Sequence, residues 1–230
     1  EINNNILDIE FTPNKGDCLS VYGLARDLNS IHDANLHIDI YEDSIDELDF
    51  NFINEENNFC PKIQFLKIEI EDIPNKYQPY LESYFKYLNI SKNNFFTDVS
   101  NYLAYELGQP THCYDYKKVK DGIKLTSTSE NTLFKTLLDI DIKLEPGEKV
   151  FKKNEEIINL AGVMGGQSTK CDASSKIVLV ESAFFNPDII IGKSTKYNLV
   201  SDAAYKFERY VDINLQEFAL RRFINIIKDH

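Results

Sequence analysis

Several stretches of this sequence hold side chains that can do chemistry. Asn101 and His112 flank Gly108-Gln109-Pro110. A helix carrying Asn101 on its body and stopping at Gly108 delivers His112 from the turn just beyond, which brings an amide and an imidazole together. Imidazole exchanges protons near neutral pH more readily than other side chains, and a turn histidine also serves structure. Spacing alone leaves both readings open. Glu181 lies inside the apolar run Ile177 to Phe185, where a carboxylate is costly unless it meets a polar partner or a pocket. Strand alternation that turns it to solvent is the competing reading. Ala161-Gly-Val-Met-Gly-Gly-Gln167 is a glycine-rich turn that either admits a ligand close to the backbone or closes a hairpin. It matches neither G-x-G-x-x-G nor the P-loop pattern. Ser201-Asp-Ala-Ala reads as a helix cap followed by small residues.

These groups need elements to position them. Asp17 is placed to cap a helix over residues 18–30, and helical spacing recurs over 80–88 and 98–107, the latter ending at Gly108. Ile63 onward alternates as a half-buried strand does, and residues 122–184 read as short strands separated by turns such as Glu145-Pro-Gly-Glu. Asn186-Pro187 starts a helix expected to run to about 197, and Leu215 to Ile227 forms an amphipathic last helix. The acidic, Asn-rich stretch 38–58 reads as a solvated linker or edge segment and as the place for an internal boundary. The fold class expected is α+β.

Composition narrows the function. With 230 residues and 43% hydrophobic content the chain can bury a sizeable core. Its formal charge of -12 opposes unaided binding to a phosphate backbone. Cys18, Cys60, Cys113 and Cys171 are widely spaced without a C-x-x-C pair, and the histidines supply no H-x-x-x-H pair, so no metal site is expected. No window suits a membrane helix and no signal peptide is evident, which makes a cytoplasmic protein without membrane contact the expectation. Glu1 in place of an initiator Met makes an internal cut point in a longer chain the expectation.

Five blocks in order, Phe11-Thr-Pro-Asn-Lys-Gly-Asp-Cys-Leu-Ser-Val-Tyr-Gly-Leu-Ala-Arg-Asp, Asn101-Tyr-Leu-Ala-Tyr-Glu-Leu-Gly-Gln-Pro-Thr-His, Leu160-Ala-Gly-Val-Met-Gly-Gly, Val180-Glu-Ser-Ala-Phe-Phe-Asn-Pro and Ser201-Asp-Ala-Ala-Tyr-Lys-Phe-Glu-Arg-Tyr-Val-Asp, resemble the β subunit of bacterial phenylalanyl-tRNA synthetase. They cover its central editing module, so residues 1–230 would be one module, an α+β arrangement around a sandwich-like sheet. The resemblance implies hydrolysis of tyrosine wrongly attached to tRNA(Phe). It implies an α subunit partner in an α2β2 heterotetramer, and tRNA(Phe) held by the holoenzyme. No cofactor is implied in this piece, because ATP and Mg2+ serve the complete synthetase elsewhere.

Residue by residue, the resemblance places His112 and Asn101 at the scissile ester as catalytic residues. It places Glu181, Gly165, Ser201 and Ala203 around the tyrosine moiety. Glu181 would accept the phenol proton. Departures stand at Ser201, where Thr is common, at Gln167, where an acidic residue follows the double glycine, at Ala204, where Ser is usual, and at Lys15, where Arg is common. A scaffold that has lost editing and supports subunit assembly and tRNA placement is the alternative function.

Overall fold

The computed structural model describes residues 2–3, 6–32 and 36–230. In chain order its elements are strands β1 (Ile2–Asn3) and β2 (Ile6–Leu7), helix α1 (Val21–Asn29), strands β3 (Phe52–Asn54) and β4 (Lys62–Glu69), and helices α2 (Pro79–Leu88) and α3 (Phe95–Leu107). Strand β5 (Thr111–Asp115), helix α4 (Tyr116–Val119) and strands β6 (Ile123–Ser127), β7 (Thr132–Lys135), β8 (Asp141–Leu144), β9 (Lys149–Lys153), β10 (Glu156–Leu160), β11 (Met164–Gly165) and β12 (Ile177–Phe184) follow. Helices α5 (Pro187–Ile190), α6 (Lys193–Lys196), α7 (Asp202–Phe207) and α8 (Gln216–Lys228) end the chain.

β12 is the middle strand of a three-stranded antiparallel sheet, β4-β12-β5. Its near-continuous apolar run suits a strand covered on both faces. On one face Val178 and Val180 pack with Val99 and Leu103 of α3 and Phe223 and Ile226 of α8. On the other, Leu179 and Ala183 pack with Leu125, Phe151 and Ile158 of the five-stranded sheet β11-β10-β9-β6-β3. The result is an α+β sandwich with a helical layer behind its smaller sheet. Isolated helices of this length are marginal in water, so α3 and α8 depend on that apolar seam. Each fully buried Leu or Phe there is worth roughly 1.5–3 kcal/mol.

Local chemistry sets most element ends. α3 starts three residues earlier than the spacing predicts, because the Asn94 side chain accepts from Thr97 N, and it stops at Gly108 in the left-handed region, φ 79°. The helix expected over 18–30 begins later, at Val21. Its cap is Ser20 rather than Asp17, whose carboxylate instead accepts from Arg26. The single helix expected from 187 to about 197 is broken in two by Gly192, φ 81°. Lys193, Lys196 and Tyr197 close on the buried Glu148 carboxylate at 2.5, 2.5 and 2.7 Å, which fixes α6 against the turn before β9.

The acidic stretch takes a defined path. Asp39, Tyr41 and Asp43 present backbone carbonyls to Arg221, Arg222 and Asn225 of α8, and residues 52–54 then join β6 in parallel as the edge strand of the larger sheet. The four cysteines are all free and buried.

Candidate functional site

The antiparallel register of β12 and β5 sets Glu181 directly opposite His112. Residues so paired project to the same side of the sheet, and here that side faces the larger sheet. Glu181 is therefore turned into the sandwich, 4% exposed, and alternation does not bring it to solvent because both faces are covered. His112 stands in strand β5, not in the turn after Gly108, so it too is held by a sheet.

A small pocket of about 70 Å3 opens over this pair. Its walls come from elements far apart in sequence. Pro110, Thr111 and His112 lie on and before β5, Asn159 on β10, Gly162 to Gly165 in the hairpin, Glu181 and Phe185 on and after β12, and Ala203 and Phe207 on α7. The glycine-rich stretch is a hairpin, with Val163 N donating to Leu160 O and β11 pairing back on β10, and it also forms a pocket wall. Gly165 is required there: a Cβ would stand 2.4 Å from His112 Cε1 and 2.7 Å from Leu137 Cδ1. The aromatic floor is Phe185 against Phe207, with ring centroids 5.0 Å apart.

The electrostatics follow from burial. Desolvation pushes the Glu181 carboxyl up to about 7, opposed by a hydrogen bond from Tyr114 Oη to Oε2 at 2.7 Å. That is the one side-chain hydrogen bond Glu181 makes among the described residues, and it leaves Oε1 without a side-chain partner there. Burial also lowers His112 to about 4, so its ring is neutral at pH 7. Its Nε2 is shielded and has no hydrogen-bond partner among the described residues. The site thus pairs a carboxyl poised near neutrality with a neutral imidazole.

Of the residues marked out by sequence, His112, Gly165, Glu181 and Ala203 meet at this pocket. Ser201 stands behind it. Its Oγ accepts from Ala204 N and donates to Val163 O at 2.6 Å, capping α7 and tying that helix to the hairpin. Asn101 is on the exposed side of α3 and is not among the lining residues, whereas its neighbour Ser100 bonds the Thr111 carbonyl at 2.7 Å. Tyr114 and Asn159 escape a reading by spacing. Tyr114 lies two residues beyond His112 on one strand, and Asn159 interrupts an apolar run just as Glu181 does, and these are the signals that mark them.

Asp17, Cys18 and Asp27 bring ligand-type atoms together outside this pocket, with Lys15 and Arg26 ion-paired to the carboxylates. Among the described residues no helix is long and apolar enough to cross a membrane.

The geometry can be set beside known proteins. Over 99% of its length the chain is 31% identical to the phenylalanine–tRNA ligase beta subunit of Francisella tularensis, and over 98% it is 31% identical to that of Psychrobacter arcticus. It spans only 29% of each of those relatives. The crystal structure of an N-terminal fragment of the phenylalanyl-tRNA synthetase beta subunit from Pyrococcus horikoshii superimposes with a TM-score of 0.50 at 11% identity. The match covers 94% of this chain and 58% of that one, a likeness of fold. Residues 69–230, which include every pocket residue named above, match the B3/4 domain, and the chain belongs to that family.

Proposed function

We propose that the chain is the editing module of a phenylalanine–tRNA ligase beta subunit and hydrolyses tyrosine esterified to tRNA(Phe). The observation that supports this reading is the buried Glu181 set beside His112 at one pocket. A synthetic pocket built for phenylalanine rejects an added hydroxyl by only about a hundredfold, so accuracy calls for a second, hydrolytic site that demands the hydroxyl. Glu181 Oε1 accepts the phenol proton of tyrosine. Phenylalanine leaves that oxygen desolvated without a donor, a loss of about 1–3 kcal/mol.

Hydrolysis needs no covalent intermediate. Neutral His112 orients a water at the pocket and aims its oxygen at the ester carbonyl. The new carbon–oxygen bond forms, the ester bond to the ribose breaks, and the proton given up by the attacking water goes to the departing ribose oxygen. Positioning and local dipoles carry most of the acceleration, since the ester is already activated. The net negative charge makes tRNA binding the work of the holoenzyme, in which the α subunit and the remaining β modules supply the RNA contacts and the ATP- and Mg2+-dependent synthesis. Such an enzyme acts in the cytoplasm.

Deacylation of preformed Tyr-tRNA(Phe) by the holoenzyme containing this segment tests the reading. Rapid hydrolysis that Glu181→Ala and His112→Ala both slow is the expected result. Hydrolysis no faster than the uncatalysed ester would make the module a scaffold for subunit assembly and tRNA placement.

A further inference from the structure

A chain of hydrogen bonds runs behind the pocket and joins the two sheets. Asn159 Nδ2 of β10 donates to Tyr114 Oη of β5 at 2.9 Å, and Tyr114 Oη donates to Glu181 Oε2 of β12 at 2.7 Å. Tyr114 is fully buried and Asn159 is 4% exposed, so neither bond is shared with solvent. The phenol has one proton. It goes to the carboxylate, which has none to give when ionised, and the Asn159 amide must then turn its NH2, not its carbonyl, toward Tyr114. The direction of every bond in the chain is thereby fixed. Tyr114 cannot swing away, because its ring stands edge-on to His112 with centroids 4.4 Å apart.

Glu181 therefore already holds one phenol. A carboxylate accepts at two oxygens, and the resident phenol occupies Oε2, which orients the group about its terminal torsion and presents Oε1 to the pocket. We infer that Tyr114, held by Asn159, is a specificity-determining positioning residue that aims the Glu181 carboxylate at the hydroxyl of the aminoacyl ring. This rests on the editing function proposed above and adds residues that the resemblance does not assign. Without the Tyr114 hydroxyl, Glu181 loses its one donor and its terminal torsion becomes free. It then meets a substrate phenol and a bare phenyl ring with less distinction.

The inference predicts a particular kinetic signature. The Tyr114 hydrogen bond favours the ionised carboxylate, so its removal raises the pH at which Glu181 becomes an acceptor. Burial and the Glu181 charge push the Tyr114 phenol well up, so it remains a donor across the working range.

The experiment measures deacylation of Tyr-tRNA(Phe) and Phe-tRNA(Phe) by the holoenzyme from pH 6 to pH 9 for wild type, Tyr114→Phe, the double variant Tyr114→Phe/Asn159→Leu, and Glu181→Ala. Tyr114→Phe keeps the ring against His112, and the double variant also removes the amide left unpaired, so a folding defect in one does not decide the matter. The ratio of tyrosyl to phenylalanyl hydrolysis is expected to fall about tenfold in both, as loss of a charge-assisted hydrogen bond gives. The pH midpoint of that ratio is expected to move upward, a change that a merely structural tyrosine would not cause. A wild-type ratio and midpoint in both variants, with Glu181→Ala still impaired, overturns this inference and leaves the editing function standing. Wild-type hydrolysis of the tyrosyl ester no faster than the uncatalysed reaction would overturn the editing function itself.

Discussion

Glu181 and His112 are paired residues of adjacent antiparallel strands, and burial shifts their proton affinities in opposite directions, the carboxyl up to about 7 and the imidazole down to about 4. Each is thereby pushed toward its neutral form. Desolvation is the leading cause of both shifts. A carboxyl poised between its two forms near pH 7, beside a neutral imidazole, suits a site that must read one hydroxyl and orient one water.

The two shifts give stability slopes of opposite sign. Folded Glu181 holds its proton to a higher pH than the unfolded chain, whose carboxyl titrates near 4.5, so its contribution is present below 4.5 and is lost as pH rises through about 7. Folded His112 titrates near 4 against 6.5 unfolded, so its contribution is present above 6.5 and is lost as pH falls through about 4. Each amounts to about 3 kcal/mol, and between pH 4.5 and 6.5 they cancel. Glu181→Gln is expected to steepen the loss of stability in acid relative to wild type, and His112→Asn to steepen the loss toward pH 7. Urea unfolding midpoints from pH 4 to pH 8 check this, and parallel curves for the three proteins would refute it.

Gly165 is a steric gate on His112. Gly165→Ala places a methyl 2.4 Å from His112 Cε1, and both that ring and Leu137 must give way. The expected cost is about 1–3 kcal/mol in stability, with tyrosyl deacylation reduced more than tenfold because the water-orienting nitrogen moves. Thermal unfolding beside the deacylation assay separates the two effects. Activity equal to wild type would show that the imidazole position does not matter.

Ser201 joins α7 to the glycine-rich hairpin through a single oxygen. Ser201→Ala removes the cap and leaves the Val163 carbonyl unpaired, a loss of about 1–2 kcal/mol. Ser201→Thr keeps both bonds and is expected to stay close to wild type. The melting temperatures of the two variants test this, and an equal drop in both would assign the effect to crowding rather than to the hydroxyl.

Asn101 projects from α3 outside the pocket walls. Asn101→Ala is expected to change stability by less than about 0.5 kcal/mol and to leave tyrosyl deacylation within about twofold of wild type. Single-turnover hydrolysis reduced as far as by His112→Ala would instead put the amide on the ester that the tRNA brings in.

The sequence by itself determined what short-range chemistry controls. The alternation after Ile63, the helical spacing before Gly108, the proline at 187 and the apolar run of β12 are local, and each became the expected kind of element. The polar interruption at Glu181 and the glycine-rich turn were legible for the same reason, since a carboxylate in an apolar run and clustered glycines are anomalies against their own neighbours. After the break at Gly192, α6 is held by Glu148 from another part of the chain through Lys193, Lys196 and Tyr197, a contact that no periodicity reports.

Only the tertiary structure decided which anomalies meet. The pairing of β12 with β5 put His112 opposite Glu181, turned Tyr114 toward the same carboxylate, and left Asn101 on the far side of its helix. Strand register is chosen by the total burial of both faces rather than by the residues being paired, and a slip of one position would have sent Glu181 into the helical layer instead. Asn159 reaches Tyr114 only because the second sheet closes over the first. The pocket is thus a product of long-range packing acting on residues that local sequence could mark but not bring together.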